Sequence, residues 1–167
     1  MPMLIRWKGG VARAEADPFL IPAEDEPLPA GDVILSWPRF QAEGERLWRE
    51  GRRLGLRLTP AEDPVEIAPF LPHLYLVALE FPKFRDGRPY SAARILRERL
   101  GWHGQLRAVG DVLLEQAPQM IRCGFDAFQP ADGSGPEAWT RAGARFAFVY
   151  QRAADSREPA FALRSAP

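Results

Sequence analysis

Lys83, Arg85, Asp86 and Arg88 crowd the short segment Phe81-Pro-Lys-Phe-Arg-Asp-Gly-Arg88. Asp86-Gly87 is a turn-forming pair, because an Asp side chain bonds its own backbone two residues on and Gly tolerates any turn geometry. Cations beside the free amides that open a helix suit a small oxyanion, since charge, donors and the helix dipole act together. The same cations suit an acidic protein surface. The plainer alternative is a turn flanked by solvated side chains.

Two further residues belong to this set. Arg107 lies between Leu106 and Ala108 in a strand-like run, and a buried guanidinium there needs a partner such as Asp86, Asp111 or Asp126. Asp111, after Gly110, can accept from the first amides of a helix beginning at Val112, or hold a proton, an arginine or a metal. The candidate anion- or partner-binding residues are therefore Lys83, Arg85, Asp86, Arg88, Arg107 and Asp111. Catalytic residues are not identified.

Other chemistry finds little footing. Cys123 is the only cysteine, so an internal disulfide, a cysteine-rich zinc site or an iron-sulfur cluster is not expected. It falls at the carboxyl end of a helix, where the dipole disfavours a thiolate, and packing is its expected role. His73 and His103 have no ligand or nucleophile at recognisable spacing. The sequence holds no Gly-x-Gly-x-x-Gly and no phosphate-loop motif, so neither a classical dinucleotide site nor an intrinsic metal is expected, and the cofactor stays open.

The elements that must position these residues follow from length and pattern. At 167 residues and 46% hydrophobic content the chain fits one core. Net charge is zero, which favours neither nucleic acid nor an anionic membrane. Acids nevertheless dominate from Arg13 to Asp32, and bases from Lys83 to Arg107. The apolar runs are too short for a membrane span and the amino terminus lacks a signal-peptide pattern, so a cytoplasmic location is expected.

Lys8-Gly9-Gly10 between Met3–Trp7 and Val11–Ala14 predicts a small hairpin. The acidic, proline-rich stretch 17–31 reads as a surface linker. From Asp32 short apolar runs alternate with helical periods, which predicts an α/β fold of successive βα units on a mostly parallel sheet, with Rossmann-like or flavodoxin-like layering.

Strands are expected at Val33–Trp37, Leu56–Leu58, Leu74–Phe81, Leu106–Val109 and Phe125–Phe128. Helices are expected from Pro38, over Pro64–Leu71, from a Ser91 cap, from Val112 to Cys123 with a kink at Pro118, and from a Ser134/Glu137 capping box toward Tyr150. Phe146, Phe148 and Tyr150 alternate in a way that also fits a strand. One domain over 1–153 and a flexible tail over 154–167 complete the expectation.

Leu79-Glu-Phe-Pro-Lys-Phe-Arg-Asp-Gly-Arg88, Ser91-x-Ala-Arg94, Leu96-Arg-Glu-Arg99, Leu106-Arg-Ala-Val-Gly-Asp-Val112 and Arg122-Cys-Gly-Phe-Asp-Ala-Phe128 resemble a bacterial family of unknown function encoded beside assimilatory sulfite reductase. The resemblance spans the middle and carboxyl two thirds, and Pro118 departs from its pattern. The family is labelled an oxidoreductase of sulfite reduction from gene neighbourhood. That implies a part in the pathway, while siroheme and cluster ligands are lacking for the catalytic reductase itself.

The resemblance thus implies an accessory or electron-delivery partner of the sulfite reductase hemoprotein or of its acidic electron donor. A small oxyanion-binding enzyme acting on sulfite or a related sulfur metabolite, or an assembly factor of the sulfite reductase complex with an aromatic surface that makes a dimer or a complex, are the alternatives.

Overall fold

A computed structural model describes residues 4–163. Met3, at the start of the expected first strand, and residues 164–167 of the expected tail lie outside the described residues. The elements are β1 (Leu4–Lys8), β2 (Val11–Glu15), β3 (Val33–Ser36), α1 (Trp37–Arg49), β4 (Leu54–Leu58), β5 (Leu74–Phe81), α2 (Arg88–Arg94), β6 (Gln105–Gly110), α3 (Ala117–Arg122), β7 (Ala127–Phe128), α4 (Pro136–Gly143) and α5 (Ala160–Leu163). A 3₁₀ turn, Ala68–His73, leads into β5, and a π turn, Ile95–Arg99, prolongs α2.

These strands form one seven-stranded sheet in the order β2-β1-β7-β6-β5-β4-β3. β3 to β7 are parallel, and the β1–β2 hairpin joins β7 antiparallel. The α/β class, the mostly parallel sheet and the amino-terminal hairpin are as expected. The order of the parallel strands is sequential, without the reversal that divides Rossmann-like and flavodoxin-like sheets.

Crossovers of one hand that always step in one direction place their helices on one face. Burial agrees. Leu35, Leu56, Val77 and Leu106 face Phe40, Leu47, Leu96 and Met120 in the main core, whereas Ile34, Leu76, Ala78 and Val109 form a separate cluster with Phe19. The second face is therefore roofed by the segment after β2 rather than by helices.

That roof is fastened by a buried ion pair. Arg107 Nη1 and Nη2 donate to the Asp17 carboxylate at 2.6 and 3.1 Å, while Nε and Nη2 donate to Gln105 Oε1 at 3.0 and 2.9 Å. The strand register sets Arg107 between Ala78 and Ala127, whose short side chains leave room for the guanidinium and for Asp17 above it. Asp17 also accepts from the Phe19 amide. The partner is thus neither Asp86, Asp111 nor Asp126, because those lie at strand ends while Arg107 points into mid-face. Beyond Asp17 the chain pairs with the edge of β3, where the Ile34 amide donates to the Leu20 carbonyl at 2.8 Å.

Several helix starts differ from expectation for local reasons. Trp37 opens α1 rather than ending β3, because the Ser36 hydroxyl accepts the Arg39 amide and caps the helix there. α2 begins at Arg88, before Ser91, with Pro89 in its first turn and the Asp86 carboxylate accepting the Arg88 amide at 3.1 Å. Pro118 does not kink a helix from Val112, since α3 starts at Ala117 and places the proline where no donor is needed.

Gly135 caps α4, and the Ser134 hydroxyl accepts from Trp139 Nε1 at 2.8 Å, which replaces the expected capping box with Glu137. α4 stops at Gly143, so residues 146–150 are neither the expected helix nor a strand. Ala154 and Asp155 are tied back to Arg122 through the Arg122 carbonyl and guanidinium.

Replacing Asp17 with Ala leaves a fully buried guanidinium without its counter-charge, and should lower unfolding free energy by about 3–5 kcal/mol. Replacing Asp17 and Arg107 together with Leu and Met should cost far less. Urea denaturation of the three proteins measures this, and a loss below about 1 kcal/mol for Asp17→Ala would contradict the assigned role of the pair.

Candidate functional site

β5 is buried along almost its whole length and delivers the chain to the carboxyl edge of the sheet at Phe81. From there residues 82–87 make an exposed turn closed by the Asp86 amide donating to the Lys83 carbonyl at 2.9 Å. The neighbouring loop holds the turn in place. The Asp111 amide donates to the Phe81 carbonyl at 2.7 Å, and the Asp111 carboxylate accepts the Phe84 amide at 2.8 Å.

Asp111 therefore does not cap the following helix. Gly110 makes this possible: its φ is +91°, and a Cβ there would sit 2.4 Å from the Phe81 carbonyl oxygen. Only glycine lets the two loops lie this close.

The candidate cations separate into three kinds. Arg107 is closed off beneath Asp17, on the other face of the sheet. Arg88 is exposed but donates from Nε and Nη2 to Asp86 at 3.0 and 2.6 Å. This bidentate bond holds the Asp86 carboxyl below the usual carboxylate range and raises the Arg88 guanidinium. Lys83 and Arg85 are exposed and form no ion pair among the described residues. Between them stands Phe84, 43% exposed.

Lys83, Phe84 and Arg85 thus present two unneutralised cations around an aromatic ring, on a turn anchored from β5 and from β6. Asp86, Arg88 and Asp111 shape and fix that turn. The six residues read from the sequence do not converge on one point.

A cleft of about 220 Å³ opens beside the turn, between residues 59–64 and α2. Its polar lining is Thr59, Glu62, Glu80, Arg88 and Ser91. Glu80 lies 3.7 Å from Arg57, both about one-third exposed. None of Thr59, Glu62, Glu80 or Arg57 stands out in the sequence, because each is a lone polar residue beside a strand end.

Residues at the amino-terminal edge of the parallel strands serve the scaffold. Arg97, on the π turn, donates to the carbonyls of Trp102, Gly104 and Gly124 at 2.8 to 2.9 Å and so ties α2 to the starts of β6 and β7. Burial lowers the Arg97 guanidinium and raises the Asp126 carboxyl beside it. Cys123 is buried at the end of α3, and desolvation pushes its thiol up, away from the reactive thiolate.

Residues 55–161 match the model of a family described as bacterial protein of unknown function (DUF934). The chain belongs to this family. The DUF934 match starts in β4 and takes in the pinned turn, the cleft, β6, α3, β7 and α4, but not the hairpin or the Asp17 segment. No curated protein matches the chain. No helix among the described residues is long and apolar enough to cross a membrane.

Replacing Asp111 with Ala should free the turn without unfolding the core. The Phe84 amide should exchange with solvent faster, and trypsin should cut sooner after Lys83 or Arg85, while global stability falls by only about 1 kcal/mol. Unchanged exchange and cleavage would show that the Asp111 contact does not hold the turn.

Proposed function

We propose that the protein is an accessory or electron-delivery partner in assimilatory sulfite reduction, engaging the sulfite reductase hemoprotein or its electron donor through the turn at Lys83–Arg85. The pathway rests on the resemblance of the Leu79–Arg88 and Leu106–Val112 motifs. The mode of action rests on one observation: Lys83 and Arg85 are free cations on either side of the exposed Phe84, on a turn held by Asp111.

Such a surface suits an acidic protein face. Charge speeds encounter and sets orientation, and a fixed aromatic supplies a desolvated anchor once contact is made. Anchoring the turn before binding also lowers the entropy lost on docking. An isolated oxyanion would need several donors aimed at one point, whereas Arg107 faces Asp17 and Arg88 faces Asp86. Docking is therefore the better-supported reading.

The test is sulfite reduction reconstituted from the hemoprotein and a physiological donor, with and without this protein. Stimulation is expected for the native chain. Lys83→Glu with Arg85→Glu should abolish most of it and weaken co-purification with the hemoprotein or donor by about tenfold or more, as should added salt. No stimulation, or stimulation and binding unchanged by the double reversal, would overturn the proposal.

A further inference from the structure

The amino-terminal edge of the parallel sheet carries a second surface. An open groove of about 1390 Å³ runs between α3, the β1–β2 turn and residues 144–157. Phe146, Phe148 and Tyr150 border it at 56%, 65% and 80% exposure, with Phe161 at 61% in α5. At about 150–250 Å² per aromatic side chain when fully free, these rings expose on the order of 500 Å². That is about half of the roughly 800 Å² per partner that a standard interface buries.

The backbone beneath the rings is satisfied on one side only. The carbonyls of Phe146 and Ala147 accept from Arg157, that of Val149 from the Ala160 amide at 2.7 Å, and that of Gln151 from Arg122. The amides of residues 146–151 donate to no protein group among the described residues. Beside them Arg141 and Arg145 are exposed and enter no ion pair among the described residues, with the Arg145 guanidinium 5.8 Å from the Phe146 ring centroid. An occupant must bring apolar side chains, acceptors and negative charge together.

The chain itself carries such a segment. Leu20 and Ile21 are 48% and 44% exposed, and Glu24, Asp25 and Glu26 follow them on the surface. Arg39 holds this segment rigid by donating to the Ala23 and Glu26 carbonyls, both at 2.5 Å, and Ser36 donates to Glu24 at 2.9 Å. It lies at the β3 edge, whereas the aromatic strip lies toward the hairpin edge, several strand spacings and on the order of 20 Å away. One molecule cannot close the contact on itself.

We infer that the aromatic and arginine-flanked strip of residues 141–150 receives the acidic segment 20–26 of a second copy of this chain. The contact joins two different surfaces, so repeated head to tail it builds a ring or a chain of subunits, and made twice by one pair it closes a two-fold dimer. It is independent of the Lys83–Arg85 turn, which sits at the opposite edge of the parallel strands.

Sedimentation velocity of the purified full chain over a range of concentration and salt tests this. Concentration-dependent association is expected, weakened about tenfold or more by high salt. Arg145→Glu and Asp25→Arg should each sediment as monomers while keeping the native circular dichroism and melting temperature. Mixing the two should restore association, because each reversed charge then meets its complement. Phe148→Ser should be monomeric alone and when mixed with Arg145→Glu, because neither chain then offers an intact strip. A native chain that is monomeric throughout, association indifferent to both reversals, or a mixture that stays monomeric would overturn the inference.

Discussion

Arg107 has no solvent exposure, and the helix-free face of the sheet is organised around that fact. A sequential parallel sheet places every helix on one side, so its other face needs a cover that the βα units cannot supply. The acidic, proline-rich segment after the hairpin is that cover. Asp17 meets the guanidinium, Phe19 packs on Leu76 and Ala78, and Leu20 pairs with β3. A buried charge pair adds little net stability over an apolar pair of the same shape, but it admits only one placement of the segment. Location rather than strength is what this pair supplies.

With both faces closed, the carboxyl edge is where short loops can carry chemistry on a rigid base. The turn after β5 shows how little is needed. Gly110 allows close approach, Asp111 holds Phe84 through its amide, and Asp86 neutralises Arg88 within the turn. What remains outward is Lys83, Phe84 and Arg85. On the docking proposal, this small, preformed surface is what would meet another macromolecule.

Much of this was legible in the sequence. The nearly unbroken apolar run of β5, the Gly-Gly hairpin and the alternation of runs after Asp32 indicate the α/β class and the place of the key turn. The Asp17–Arg107 contact was not legible, because its members stand ninety residues apart and several nearer carboxylates were equally suitable. Helix starts shifted where proline and a turn competed with a conventional cap, as at Arg88 and Ala117. Local pattern identified Lys83, Arg85, Asp86 and Arg88 as a group. Only three-dimensional placement separates the two free cations from the two residues that neutralise one another.

The most direct measurement of the docking role is hydrogen exchange on this protein, alone and mixed with the sulfite reductase hemoprotein or its electron donor. Protection of the amides from Phe84 to Arg88 on mixing, lost when Lys83 and Arg85 are reversed, is the predicted result. Formation of a complex that leaves these amides exchanging as in the free protein would contradict it.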